Sequence, residues 1–235
     1  MNPKQKIGTI VADNYKTANI FRKFGIDFCC GGDRSIRKAC REKNIKQEKL
    51  IKVLESIGTD SKKNKNYQKM EIDSLIDHII DSHHSYVKNK MPDIGPLLSK
   101  IVHVHEDNHP ELLKVKKLFK KLEKEINAHL KKEENDLFPA LRLLASNKTS
   151  QNIHSVEKTK KLVNSTENEH DVVGHIFKQI NKITDNLKVP DDACQTYKVV
   201  FSMLKDLESD IYQHIHLENN ILFPKTKNIL KNTTG

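Results

Sequence analysis

The sequence predicts an all-α protein, a small helical N-terminal module followed by an antiparallel four-helix bundle. Three observations carry that expectation. Glycine and proline are scarce, 8 and 7 in 235 residues, while Lys, Glu, Leu and Ile abound. Apolar residues recur at steps of three and four over long stretches. Finally, four of those stretches are joined by short connections, the pattern of neighbouring antiparallel helices.

Taken in order, residues 1–57 read as the module, with helices at 6–14, 17–24, 35–43 and 46–56 and Ser35 as a candidate N-cap. "GIDFCCGGD" at 25–33 is the loop between the second and third of these. The polar, lysine-rich stretch "GTDSKKNKNYQK" has no apolar period and marks a linker over 58–70. From 71 to 235 the bundle follows, with main helices at about 71–90, 111–137, 165–187 and 193–222 and a shorter piece at 97–107. Prolines at 92, 96, 110, 139, 190 and 224 mark loops or helix ends.

A formal charge of +10 raises nucleic acid as a partner, but only five of the 41 basic residues are arginine and tryptophan is absent. Nothing interleaves arginine with aromatics, so the lysines read as solvated helix faces and no specific nucleic-acid role is expected. No apolar run approaches bilayer length, and the N-terminal residues lack a continuous apolar core of a signal peptide. A soluble, cytoplasmic protein with reduced thiols at Cys29, Cys30, Cys40 and Cys194 is the expectation.

The chemistry lies in a repeat. "HLKKEENDLFP" at 129–139 and "HIHLENNILFP" at 214–224 align His129 with His214 and Glu133 with Glu218, each at an offset of 85. His84 and His170 stand 86 apart. Val115, Leu118, Leu122 and Ile126 lead by steps of three and four to His129 and Glu133; Val200, Leu204, Leu207 and Ile211 lead likewise to His214 and Glu218. Each His-x3-Glu pair therefore falls on a core-facing stripe, one turn apart on one face. A carboxylate placed there needs a cation, a proton or a hydrogen-bonding network.

Two such pairs with one histidine from each remaining helix supply four imidazoles and two carboxylates, the ligand set of a dinuclear metal centre. Without a thiolate, the set suits iron or manganese better than structural zinc. If each glutamate bridges, a bridging oxide or hydroxide brings each metal to five ligands and leaves room for O2 or NO. A buried hydrogen-bonded network of the same six residues is the plainer alternative.

In the first bundle helix His83 lies at the centre of the apolar face, whereas His84 is displaced by about 100°. His170 is displaced in the same sense from the face of Val172, Val173, Ile176, Phe177, Ile180, Ile183 and Leu187, so the pseudo-symmetry selects His84. Glu125 and Asp210, each four residues before a ligand histidine, are candidates to orient the imidazoles, or else charges at the edge of the stripe. His103, His105 and His109 are candidates to line an approach to the site or to add a ligand, with a polar helix end the plainer reading for His103 and His109. His78, His154, His175 and His216 lack the phase or the partner. Adjacent side chains at Cys29 and Cys30 diverge, and the two glycines after them suggest a tight exposed turn; a reactive thiol pair and a packing role stand side by side.

"FRKFGIDFCCGG" at 21–32, "IDHIIDSHH", "NEHD" at 168–171 and the two His-x3-Glu…LFP segments resemble the Repair of Iron Centres proteins, the di-iron, iron-sulfur cluster repair family of the YtfE and ScdA type, whose main domain is hemerythrin-like. The resemblance covers nearly the whole chain. It implies iron ligands at His84, His129, His170 and His214, bridging carboxylates at Glu133 and Glu218, an auxiliary position near the metals for His105, and the family's cysteine pair at Cys29 and Cys30. It further implies two iron ions, an oxo or hydroxo bridge, and repair of iron-sulfur proteins damaged by nitric oxide or oxidants. Iron delivery and direct reaction with NO are both compatible with it, as is a homodimer. The alternatives of another class are an NO-reducing or O2-activating redox enzyme and a hemerythrin-like carrier or sensor.

Overall fold

The computed structural model describes residues 1–57, 67–146 and 153–232, with the side chains of 153–154 and 231–232 left out of account. Most of the linker expected over 58–70, and the His154 side chain, lie outside these residues. The described residues are helical throughout their regular structure, with one isolated bridge between Lys6 and Ser35 and no β-strand among them. Two compact units divide the chain: residues 1–76, 141–156 and 213–235 form the first, and 77–140 with 157–212 the second.

In the first unit, α1 (Ile7–Asp13), α2 (Lys16–Lys23), α3 (Ile36–Glu42) and α4 (Gln47–Glu55) bury Ile7, Ile10, Phe21, Ile36, Leu50 and Leu54. Ser35 caps α3 by accepting the Lys38 N–H at 3.2 Å. Gly25, at φ +65°, ends α2, and the Ile26 N–H returns to the Phe21 carbonyl. This unit also holds most of α8 (Phe138–Ala145) and, after the end of α10 (Gln195–Leu217), a π-helical segment Glu218–Leu222 and α11 (Phe223–Asn232). Helix α1 packs on that π segment.

The second unit is the helical bundle. It takes only the last two residues of α5 (Ile72–His78), whose first five belong to the first unit, then a π segment Ile79–His84 and α6 (Ser85–His105); α7 (Glu111–Lys132) passes into a second π segment, Glu133–Leu137. α9 (Ile153–Ile183) and α10 contribute their residues 157–183 and 195–212. Met91, Ile94 and Leu98 of α6, Val115, Phe119 and Leu122 of α7, Phe177 of α9 and Val200, Phe201 and Leu204 of α10 are buried. Burying a residue of this size contributes about 1.5–3 kcal/mol, so packing rather than intrinsic propensity holds these helices.

Three boundaries differ from the expectation. Pro92 and Pro96 do not divide two helices but lie inside continuous α6, whose core face carries Met91, Ile94, Leu98, Ile101 and Val102. Each interior proline costs about 3 kcal/mol, which the burial of that face offsets. Pro139 and Pro224 do not end their helices either. Each follows an i→i+5 bond, Phe138 N–H to Glu133 and Phe223 N–H to Glu218, and the widened turn relieves the clash between a proline ring and the carbonyl one turn back. α9 stops at Ile183, and Asp185, Asn186 and Leu187 take left-handed φ of 46°, 60° and 56°.

Candidate metal centre

The π segments set the phase of the polar residues. In strict α geometry His84 falls about 100° off the buried face, but an i→i+5 turn winds each residue through a smaller angle. Across Ile79–His84 the lag amounts to about one residue, and both His83 and His84 are buried. His170 reaches the core differently. Val172 is exposed, and the buried line of α9 runs Val163, Thr166, His170, Val173, Phe177, Ile180 with uninterrupted α spacing. The shared displacement expected from the sequence does not exist: His84 is carried inward by its π turn, while His170 was on the stripe already.

In the second unit Glu133, first residue of its π segment and fully buried, is the centre of the cluster. Its Oε2 lies 3.3 Å from His84 Nε2, and its Oε1 lies 3.3 Å from His129 Nε2 and 3.9 Å from His170 Nε2. The His129 and His170 rings stand edge to face at 4.9 Å, and His84 stacks on Phe138 at 5.6 Å. The ligand atoms of His129, Glu133 and His170 all lie within 4.8 Å of one another. In the first unit His214 Nε2 lies 3.3 Å from Glu218 Oε2, with both residues buried.

The far nitrogens of two rings are fixed by carboxylates that sequence reasoning missed. His84 Nδ1 donates to Glu134 Oε1 at 2.7 Å, and Lys88 also donates to Glu134. His129 Nδ1 donates to Glu169 Oε2 at 3.0 Å, and Lys132 donates to Glu169 Oε1. Burial raises the Glu169 carboxyl, but the bonds from His129 and Lys132 prevail and hold it at about 2; Glu134 is lowered by Lys88 and His84 against the same penalty. With the proton on Nδ1, each Nε2 turns a lone pair toward an oxygen lone pair of Glu133. Two acceptors facing each other at 3.3 Å repel unless a proton or a metal ion lies between them. The donor set therefore fits a metal with mixed imidazole and carboxylate ligands.

The remaining candidates fall elsewhere. His83 Nδ1 pairs with Asp210 Oδ1 at 2.9 Å, which gives Asp210 a role outside the ligand set. Glu125 is half-buried on α7, and the orienting role expected of it toward His129 belongs to Glu169. His105 is corrected most plainly. It ends the 21-residue α6 that His84 precedes, so the two stand about 30 Å apart at 1.5 Å per residue. Its neighbours are Tyr197 at 5.4 Å and His109 at 6.2 Å, not the cluster. His216 is buried beside Tyr15 and Phe28, its Nδ1 lies 3.2 Å from Asn220 Nδ2, and burial pushes its pKa down to about 4 against a rise from the Phe28 carbonyl.

Cys29 and Cys30 do not diverge into an exposed turn. Their sulfurs are 4.0 Å apart, Cys29 is buried, and Asp27 Oδ1 gathers the N–H groups of Cys29, Cys30 and Gly31. The hydrogen bond to Cys30, with burial, pushes the Cys29 thiol well up. All four cysteines are free thiols. Two signals could have exposed the missed residues: Glu134 and Glu169 are each adjacent in sequence to a site residue, and Asp27 precedes the cysteine pair by two.

Residues 3–58 match the ScdA_N family, described as a domain of unknown function, and residues 75–226 match the hemerythrin HHE cation binding domain. The chain is 34% identical to the iron-sulfur cluster repair protein ScdA of Staphylococcus epidermidis, over 93% of this chain and 96% of that protein. It is 30% identical to a probable iron-sulfur cluster repair protein of Haemophilus influenzae over 96% and 97% of the two chains. To the iron-sulfur cluster repair protein YtfE of an Enterobacter species it is 29% identical, over 94% and 96%.

Proposed function

Because this chain belongs to the hemerythrin HHE cation-binding family and to the iron-sulfur cluster repair proteins of the ScdA type, we propose that it holds two iron ions in its His/Glu cluster and supplies iron to damaged iron-sulfur clusters. The single observation that carries this is the ring of imidazole Nε2 atoms about the buried Glu133 carboxylate, His84 on one oxygen and His129 and His170 on the other. In this reading His84, His129, Glu133 and His170 would hold the metal. His214 and Glu218, the repeat's second pair, would supply one more imidazole and one more carboxylate. The clients are iron-sulfur proteins damaged by nitric oxide or oxidants, and the working compartment is the cytoplasm. Among the described residues no helix is long and apolar enough to cross a membrane.

Bound Fe(II) is the cargo as well as the centre, and the protein's own residues set how firmly it is kept. Glu134 and Glu169 hold His84 and His129 in the tautomer that offers Nε2 and raise the basicity of those nitrogens. Lys88 and Lys132 keep both carboxylates ionised and oriented. No thiolate belongs to the cluster, so the ions are held by nitrogen and oxygen donors that give up Fe(II) to a sulfur-rich acceptor more readily than a thiolate cage does.

Anaerobic reconstitution followed by metal analysis should find about two iron per chain, the number a dinuclear carboxylate centre holds. Mixing with a cluster-free ferredoxin and sulfide should then move that iron to the acceptor in stoichiometric amounts. Iron that stays bound while the protein consumes NO through many turnovers would make it a redox enzyme instead.

A further inference from the structure

The outward face of α7 carries one sign of charge. Val115, Phe119, Leu122, Ile126 and His129 form the buried line of this helix. At 100° per residue the direction opposite that line is held by Lys117, Lys120, Lys121, Lys124, Ala128 and Lys131, each within about 60° of it, and all six are exposed. The lysines extend over about 21 Å of helix at 1.5 Å per residue. Beyond Glu111 in the first turn, the acids of α7 are Glu123 and Glu125, half-buried at the flanks. Among the described residues none of the five lysines is in an ion pair.

A helix face that is merely solvated alternates its charges, because opposite charges four residues apart stabilise the helix and like charges repel. Here Lys117 stands one turn from Lys121, and Lys120 one turn from Lys124, so the arrangement costs helix stability. The repeat supplies a control. At an offset of 85 the same face of α10 carries Ser202, Lys205, Asp206, Ser209, Gln213 and His216, with one lysine balanced by one aspartate. Both helices bury the same pattern and both carry a His-x3-Glu pair, so neither the core nor the metal ligands call for the lysines.

We propose that this face of α7 docks an acidic protein and, resting on the iron-supply reading above, that this protein is the acceptor of the iron. The face offers compact point charges; α7 has no arginine to grip phosphates in a fork, and its one aromatic residue, Phe119, is buried away from any base. Its apolar side is spent on the bundle core, so nothing is left to enter a bilayer as an interfacial helix does. A row of like charges speeds encounter with an oppositely charged surface by about ten- to a thousandfold at low ionic strength and orients the partner as it arrives. The row lies on the helix that bears His129 and leads into Glu133, so the acceptor is drawn to the element that holds the ligands.

The test follows iron transfer from the Fe(II)-loaded full chain to a cluster-free ferredoxin of net negative charge, by stopped flow over a series of salt concentrations. The wild-type rate should fall steeply as salt rises. The variant Lys117→Glu, Lys121→Glu, Lys124→Glu should keep its helix content and its iron per chain, transfer at least about tenfold more slowly at low salt, and lose most of the salt dependence. Lys43→Glu, Lys46→Glu, Lys49→Glu, three exposed lysines of the N-terminal module, makes the same change in net charge and should stay near the wild-type rate. Wild-type transfer by the α7 variant, or equal slowing by the module variant, overturns the docking face. So does loss of binding to duplex DNA or to anionic lipid vesicles in the α7 variant while its transfer to ferredoxin is unchanged. Fluorescence anisotropy of the labelled ferredoxin with the metal-free chain separates the two readings: binding lost on reversal of α7, with no iron delivered even by the wild type, upholds the docking face and sinks iron supply.

Discussion

The two copies of the His-x3-Glu motif share their inner faces and differ on their outer ones. Around Glu133 the outward positions are Lys131, Asn135 and Asp136, all exposed. Around Glu218 the same positions are His216, Asn220 and Ile221; His216 and Ile221 are buried and Asn220 is bonded to the cysteine loop. A duplicated helix keeps whatever chemistry points inward and is free to diverge outward. Histidine stands opposite lysine, and isoleucine opposite aspartate, where a second layer, the N-terminal module, covers the helix. In a single copy His216 looks like a spare ligand; beside Lys131 it is a residue for packing.

The largest effect should come from the shared inner face. Glu133→Ala removes the carboxylate that faces three imidazoles and should abolish iron binding, read as iron per chain after reconstitution, without unfolding the metal-free protein, since a buried charge is lost. Next, His216→Ala should leave iron per chain unchanged but destabilise the protein by about 2–4 kcal/mol, because a buried ring is deleted between Tyr15 and Phe28. Chemical denaturation reads this, and equal iron loss from His214→Ala and His216→Ala would collapse the distinction between the faces.

Glu169→Gln should weaken iron affinity by about ten- to a hundredfold without abolishing it, because His129 loses the partner that sets its tautomer. Its titration has a fixed sign in the metal-free protein. A carboxyl held at about 2 in the fold, against an ordinary 4.5, contributes stability that is fully present above 4.5 and lost as pH falls toward 2. Acid unfolding of the variant should show a shallower loss in that window. The smallest effect lies at the far end of α6. There Asp192, with Glu111, lifts the His109 imidazole above its ordinary value despite burial. This contribution is present below pH 6.5 and lost as pH rises through the folded value, so Asp192→Asn should lower the His109 pKa in an NMR titration and leave iron untouched.

Much of this was legible in residue order. The all-α class, the bundle and the Ser35 cap follow from period, composition and cap chemistry, and the polar residues that converge on Glu133 stand out as violations of an apolar stripe. The three π segments were not legible, because nothing in the residue types of "IIDSHH" or "EENDL" distinguishes an i→i+5 turn from an α turn; the difference is imposed by what the side chains meet in the core. That is why periodicity favours His83 and why the prolines at 139 and 224 read as helix ends, whereas those at 92 and 96 read so because the burial that carries α6 through them is not written in residue order. His105 was misplaced for a simpler reason: its position depends on α6 running unbroken through two prolines.

The sequence by itself determined which side chains could carry chemistry, since an imidazole or a carboxylate on a buried face must be offset by a cation or a hydrogen bond wherever the helix ends up. Only the tertiary structure decided which of them meet. Glu134 and Glu169 reach His84 and His129 across helix pairs, the sulfurs of Cys29 and Cys30 are drawn to 4.0 Å by the turn on Asp27, and Asn220 closes on a loop nearly two hundred residues away. Such contacts are set by distances between elements that residue order does not encode locally, and hydrogen bonds are strong only within a few tenths of an ångström of their optimum.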